Sequence, residues 1–324
     1  MRVGQNPAKT ISHVPQPQRV TVAIVSYIPF LSGYYAHSLD VLKSCLESLW
    51  ANTSQPYDLL VFDNASCPEV RAYLTSAQDQ GKIQYLLLSN QNIGKGGAWN
   101  MIFQGAPGEV IAYADSDVRF FSGWLTQTLS ILDAYPNVGM VTARPLRTPE
   151  AFYTSTLAWA HQTPDVQIEK LRHIPWEVYR EHVLSLGTSE EQAREWYDSR
   201  LDWRLTYHGV QALIGAAHFQ FTLLKEHIQP FLPFYMDRPM GQVRALDEQL
   251  NQAGLLRLTT CEPLVKHMGN RLKSDPLDTR KADSAAGPGG IWKFPFVRRS
   301  LLGLYDRIFR LYYDTRGQRS DSES

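Results

Sequence analysis

The 324 residues are 44% hydrophobic and 20% charged, a balance that fits one large globular domain or two small ones. Lys and Arg total 32, as do Asp and Glu, so no overall charge draws the chain to nucleic acid or to an anionic membrane. Three scattered cysteines, Cys45, Cys67 and Cys261, make neither a disulfide framework nor a zinc knuckle and suit a reducing compartment.

Residues 1–18 are polar and proline-bearing and read as a flexible N-terminus without the apolar core of a signal peptide. No run approaches the roughly 18 apolar residues of a membrane span. A cytoplasmic protein is the expectation. Residues 19–149 then alternate strands and helices. VTVAIVSY (20–27) reads as a buried first strand. SLDVLKSCLESLW (38–50) follows, with Leu39, Leu42, Cys45 or Leu46, and Leu49 at helical spacing. YDLLVFDNAS is a second strand stopping on Asp63 and Asn64, and IQYLLLSNQNIG a third stopping on residues 90–94. KGGAWNMIFQGA is helical after its glycines. EVIAYADSD is the fourth strand, GWLTQTLSILDAY a helix and VGMVTA the fifth strand. This alternation predicts an α/β fold, a mostly parallel, doubly wound sheet with helices on both faces.

Beyond Pro149 the composition turns to Trp, Tyr, Glu and Arg, and 150–210 reads as a helical insert. Within it PWEVYREHVLSLGTSEEQAREWYDSRL suggests two helices, the second opened by a capping box of Ser189 and Gln192. Residues 211–270 supply IGAAHFQFTLLKEHI, a strand followed by a turn or helix, then the short helix RALDEQLNQAG ended by Gly254, and the late strand LLRLTT. Residues 271–290 lack the apolar content to pack and read as a mobile loop. Residues 291–324 form a basic, aromatic tail, helical from about Arg298.

In a doubly wound sheet, ligands bind beyond the carboxyl ends of the strands. Tyr27, Asp63, residues 90–97 and the pair Asp115 and Asp117 all fall at such ends. Side chains two apart on a strand face one way, so DSD delivers two carboxylates to one volume, where a basic side chain, a metal ion or water must meet them. Taken singly, DNAS is ordinary turn chemistry, and NQNIGKGG is neither a GxxxxGK[ST] loop nor a GxGxxG fingerprint.

Together and in this order, VAIVSY, VFDNAS, NQNIGKGGAWN, DSD, LDEQL and VKHMG resemble the inverting nucleotide-sugar glycosyltransferases of family 2, which have the GT-A fold. The resemblance runs from Val20 to about Met268. It implies a donor half at 19–149 in which Ser26, Tyr27, Asp63, Asn64, Asn92, Gly94, Lys95, Asp115 and Ser116 bind the nucleotide sugar. Asp63 would hydrogen-bond the base, which favours a UDP or dTDP donor, since uracil and thymine offer N3–H. DSD would be the family's metal-binding DxD: Asp117 ligates Mn2+ or Mg2+, and Asp115 reaches the ribose or a metal-bound water. His267 would be a third ligand or a diphosphate contact. Hard divalent ions suit carboxylates, and one bridging both phosphates neutralises the leaving group.

The same resemblance aligns Asp247 of LDEQL with the general base that takes the acceptor's proton. Leu246 and Gln249 stand where the family has acids, so Glu248 is a second candidate. The acceptor it implies is a saccharide or a lipid-linked saccharide, as in polysaccharide assembly. LIGAAHFQF resembles the family's acceptor-side segment. Trp159, Trp176, Trp196 and Trp203 either shape that site or pack helices. Arg271, Lys273, Arg280 and Lys281 either close over the donor or belong to a solvated linker. The tail, with Arg298, Arg299, Arg307 and Arg310 beside an apolar stripe, suits peripheral contact with an anionic bilayer, its own domain or a second subunit alike. Oligomeric state, sugar, base, acceptor and linkage stay open, a guanine donor included. A sugar-phosphate nucleotidyltransferase is disfavoured because SYIPFLSGYY lacks that class's glycine-rich loop. A non-catalytic sugar- or nucleotide-binding module would have no reason to keep every acid, and a dinucleotide oxidoreductase lacks GxGxxG.

Overall fold

A computed structural model describes residues 3–236 and 242–272. The first half runs β1 (Val20–Ser26), α1 (Ser38–Asn52), β2 (Asp58–Asn64), α2 (Pro68–Asp79), β3 (Tyr85–Ser89), α3 (Gly94–Gly105) and β4 (Val110–Asp115). It continues through β5 (Val118–Phe120), α4 (Trp124–Ala134) and β6 (Val138–Thr142). Next come α5 (Thr154–Gln162), β7 (Gln167–Leu171), α6 (Trp176–Ser185), α7 (Glu190–Asp198), β8 (Asp202–Tyr207) and β9 (Val210–Ile214). The last described elements are β10 (Gln220–Leu224), α8 (Lys225–Ile228), α9 (Gln242–Gln252), β11 (Leu256–Thr259) and β12 (Val265–His267).

Ten strands form one sheet in the order β3-β2-β1-β4-β10-β6-β11-β9-β8-β7. The first four are mutually parallel, β10 is inserted antiparallel between β4 and β6, and β11 runs parallel to β6. The mixed sheet is therefore mostly parallel, as its alternating sequence predicts.

Alternation within each strand divides the core into two layers, because neighbouring side chains leave opposite faces. Val22, Ile24, Leu59 and Val61 pack on one face with Leu42, Leu46 and Leu49 of α1 and with Val70 and Leu74 of α2. Ala23, Leu60 and Phe62 point to the other, against Trp99, Ile102 and Phe103 of α3 and Leu246 and Leu250 of α9. Each fully buried Val, Leu, Ile or Phe among them contributes roughly 1.5–3 kcal/mol of burial. Helices thus cover both faces, and the strand ends of the parallel half are fixed as a row.

The segment 150–210 departs from the helical insert that its composition suggests. Besides α5, α6 and α7 it contributes β7 and β8, which with β9 extend the main sheet by antiparallel hairpins. Charged strand residues such as Glu169, Lys170 and Arg204 hid this, since β7 is largely exposed and carries little apolar alternation. Three of its four tryptophans pack on the protein. Trp159 contacts Tyr135 and Tyr207, Trp176 contacts Tyr179 and Tyr197, and Trp203 lies under Lys170; Trp196 is exposed. Half of the expected capping box forms: Ser189 Oγ accepts from the Gln192 amide, whereas the Gln192 side chain turns to Glu195. Lys273, Arg280 and Lys281, most of the loop 271–290 and the whole tail with Arg298, Arg299, Arg307 and Arg310 lie outside the described residues.

Candidate active site

The register sets the first three positions. Ser26 on β1 pairs with Asp63 on β2, and Val25 pairs with Asp115 on β4. Strands are spaced about 4.8 Å apart, so Asp63 and Asp115 stand roughly 10 Å apart along one carboxyl edge. Asp63 is fully buried. Its Oδ2 accepts from Arg71 Nε at 3.1 Å and from the Ser66 amide at 3.2 Å, while Oδ1 has no hydrogen-bond partner among the described residues. Ser26 Oγ beside it is likewise buried and unpartnered. Tyr27 is partly exposed and packs edge-on against Tyr35 at 6.1 Å.

Asn64 and Asn92 are brought to this edge, but their side chains hold the loop. Asn64 donates to Asn92 Oδ1 at 2.9 Å and accepts from the Ile93 amide at 2.9 Å; Asn92 Oδ1 also accepts from the Gly94 amide. The asparagines assigned by sequence to the donor therefore shape the turn into α3. Gly94 adopts φ +70°, a conformation glycine takes without a Cβ penalty, and it starts that helix. Lys95, the next residue, reaches both oxygens of Asp115 at 2.9 and 3.0 Å. Tyr113 Oη also donates to Asp115.

Asp117 lies past β4, in the turn with Ser116. The antiparallel pairing of β12 with β5 places His267 opposite Val118 and brings His267 Nε2 to 3.1 Å from Asp117 Oδ2. Asp117 Oδ1 is buried and has no partner among the described residues. Burial alone would lower the His267 pKa, but the hydrogen bond and charge of Asp117 outweigh it and raise it. Ser185 Oγ stands 3.1 Å from His267 Nδ1 and so fixes the ring. Buried Arg144 ties β12 to α6: it donates to the Val265 carbonyl at 3.0 Å, to the Val178 carbonyl at 2.7 Å and to Glu181 at 2.9 Å. Neither Ser185 nor Arg144 carried a sequence signal.

The partners that meet the two carboxylates are thus Lys95 for Asp115 and His267 for Asp117. The described residues contain no group of three or more His, Cys, Asp or Glu side chains able to hold a metal ion. Asp115, expected to assist a metal, is taken by Lys95. The orphaned Asp117 Oδ1 and adjacent His267 nonetheless fit a divalent ion that takes its other ligands from phosphates and water, as Mg2+ and Mn2+ commonly do.

The acceptor side is built differently from its expectation. Asp247 on α9 is only 2% exposed. Its Oδ1 ion-pairs with Arg257 of β11, itself fully buried, and its Oδ2 lies 2.6 Å from His218 Nε2. Arg257 also donates to the Ala216 carbonyl at 3.1 Å. Glu248, the second candidate base, pairs with exposed Arg244 at 2.7 Å on the solvated side of α9 and does not join Asp247.

Residues 34–184 match the family model described as glycosyl transferase family 2. An uncharacterized glycosyltransferase of Nostoc sp. (strain PCC 7120) is 35% identical over 78 residues, which cover 24% of each chain. Among solved structures, the mannosyltransferase PcManGT from Pyrobaculum calidifontis in complex with GDP-Man and Mn2+ is similar at 16% identity, TM-score 0.45. That similarity covers 76% of this chain and 55% of that one. Residues 1–349 of TarS from S. aureus are similar at 11% identity, TM-score 0.43, over 76% of this chain and 59% of that one. This chain spans about a quarter of the curated relative's length and under two thirds of either structure.

Proposed function

We propose, from the match of residues 34–184 to the glycosyl transferase family 2 model, that the chain moves a sugar from a nucleotide-diphosphate donor to a hydroxyl of a saccharide or lipid-linked acceptor, with inversion. One observation carries the reading: three buried polar atoms, Ser26 Oγ, Asp63 Oδ1 and Asp117 Oδ1, stand without partners at neighbouring strand ends. Buried polar atoms are almost always paired, so a row of exceptions favours a polar ligand.

In this reading Asp63 Oδ1 accepts the N3–H of uracil or thymine, while Arg71 and the Ser66 amide hold its other oxygen. UDP or dTDP is accordingly favoured. Lys95, at the start of α3, contributes positive charge beside the diphosphate, and the helix N-terminus adds to it. Asp117 and His267 would hold Mn2+ or Mg2+, which when bound neutralises charge developing on the departing diphosphate. Inversion needs a base on the acceptor hydroxyl, and the reading assigns that role to the Asp247 assembly on α9. No helix among the described residues is long and apolar enough to cross a membrane.

Calorimetric titration of UDP, dTDP and GDP, each with Mn2+ and with EDTA, tests the donor site on wild type and Asp117→Ala. One nucleotide is expected to bind with Mn2+, weaken in EDTA and fail on the variant. Absence of binding by every nucleotide in both conditions would remove the donor assignment.

A further inference from the structure

A recess opens where the chain between β6 and α5 meets the start of β8 and the end of β9. Resting on the transferase reading, we infer that it is an acceptor subsite for one saccharide ring bearing an anionic group, a carboxylate or a phosphate. It encloses about 340 Å³, part of it open to solvent, which is at the small end of the range for ligand sites. Leu146, Ile174, Leu213 and Ile214 supply apolar lining, and Tyr153 and Trp203 add aromatic surface.

Three polar side chains of this lining lack partners among the described residues. Thr148 Oγ1 is buried and makes no hydrogen bond. The Tyr153 hydroxyl makes none either, and the exposed Arg200 guanidinium has no hydrogen bond or ion pair. Burial pushes the Tyr153 phenol up, with Glu150 adding to the rise and Arg200 opposing it, so the hydroxyl remains a donor. The other two charges of the recess are matched. Arg147 lies 2.6 Å from Asp202 and stacks on Tyr179 and Tyr197 at 5.1 and 4.7 Å. Asp202 Oδ2 also accepts the His173 and Ile174 amides at 3.0 and 2.9 Å, and Arg147 donates to the Tyr197 carbonyl of α7 at 2.8 Å. This pair fastens α7 to β8 and cancels its own charge. Arg200 is left as the uncompensated cation, and a planar guanidinium fork matches a carboxylate or a phosphate.

The end of β9 joins this recess to the acceptor side. Leu213 and Ile214 run directly into Gly215 and Ala216, and the Ala216 carbonyl accepts from Arg257, the ion-pair partner of Asp247. Two residues of chain span at most roughly 7 Å, so the recess wall and the Asp247 assembly are close neighbours. Gly215 permits the passage. At φ +142° it takes a conformation that disfavours a side chain, and a Cβ there would stand 3.0 Å from the Leu146 carbonyl and 3.4 Å from Thr148 Oγ1. An acceptor whose reacting hydroxyl lies at Asp247 thus sets its neighbouring ring in the recess. Thr148 and Tyr153 meet that ring's hydroxyls, and Arg200 meets its anionic group.

Saturation-transfer NMR on the full-length chain tests the subsite with three probes: methyl β-glucuronide, glucose 6-phosphate and the neutral methyl β-glucoside. At least one charged probe is expected to bind about 10-fold or more tightly than the neutral one, as one hydrogen bond to a charged group allows. The tighter of the two tells carboxylate from phosphate. Arg200→Gln, at an exposed position, should abolish the preference for charge, and Thr148→Val should weaken every probe that binds. Both variants should keep wild-type affinity for UDP, dTDP and GDP, and the charged probe should bind alongside the nucleotide. Equal binding of charged and neutral probes, or a preference that survives Arg200→Gln, overturns the subsite. So does a probe that the nucleotide displaces, because it then occupies the donor site. Nucleotide binding with no saccharide binding defeats the subsite and leaves the transferase intact. Wild-type protein that binds no nucleotide defeats the transferase reading itself.

Discussion

Arg257 and Asp247 are a buried charge pair, and the stability of α9 against β11 depends on their remaining a pair. Taking one charge away leaves the other without compensation in a site where neither is more than 2% exposed. Arg257→Met should therefore cost on the order of 3–5 kcal/mol, whereas the double change Asp247→Leu with Arg257→Met should recover most of it, since packed apolar groups often replace a buried pair without loss. Urea unfolding of wild type and the two variants checks this; a double variant no more stable than Arg257→Met would contradict it. Recovery of stability without recovery of turnover would separate the structural part of Asp247 from its chemical part. Asp63, Asp115 and Asp117 were legible in the sequence because each ends an apolar run that stops on an acid. His218 was not, because its meaning depends on Asp247, 29 residues away, and sequence spacing carries no trace of a 2.6 Å contact. Likewise Asn64 and Asn92 were recognised as belonging to the edge, but only their mutual hydrogen bond shows that they hold the loop.

Strand registers translate such residues into a site, and the junction of β1 with β4 is tightest at Gly108. A Cβ there would stand 2.7 Å from the Arg19 carbonyl and 2.8 Å from the Thr21 nitrogen, and these are backbone atoms that cannot swing aside. The Gly108 amide also donates to Thr21 Oγ1 at 2.9 Å. Gly108→Ala should thus push β4 from β1 and cost about 1–3 kcal/mol, the usual range for overpacking. Because Asp115 lies at the far end of the same strand, nucleotide affinity should fall as well; unchanged melting and unchanged affinity together would contradict the argument. Ser189→Ala, which removes only one cap bond from α7, should cost about 1 kcal/mol and leave nucleotide binding alone. At this level the donor half was readable, since its buried strands are continuous apolar runs separated by periodic helices. The segment 150–210 was readable only for α6 and α7. Strands β7 and β8 lie toward the sheet's exposed end, where charged pairs such as Arg204 with Glu169 replace the apolar alternation that marks a half-buried strand.

Two histidines near Phe219 impose opposite pH dependences on the folded protein. His182 stacks at 5.3 Å from Phe219, and burial, reinforced by the charges of Arg144 and His267, pushes its pKa down to about 4 from an ordinary 6.5. Between those values the unfolded chain binds a proton that the folded one refuses, so stability falls as pH drops from 6.5 toward 4. The full difference corresponds to at most about 3 kcal/mol. His267 behaves in the reverse sense, because its folded pKa is raised. Its contribution is complete below the unfolded value of 6.5 and is lost as pH rises through the folded value. For Glu181 burial acts upward, but Lys266 and Arg144 bring its pKa below the carboxylate norm, so it loses stability only in more acid solution, below 4.5. The windows do not overlap, and together the two histidines place a stability maximum near pH 6.5. Urea midpoints measured from pH 4.5 to 8.5 should trace that dome. His182→Phe should flatten the acid limb and His267→Gln the alkaline one, each leaving the other limb in place. A wild-type profile flat from pH 4.5 to 6.5, or an acid limb that survives in His182→Phe, would show that His182 is not held neutral by its burial.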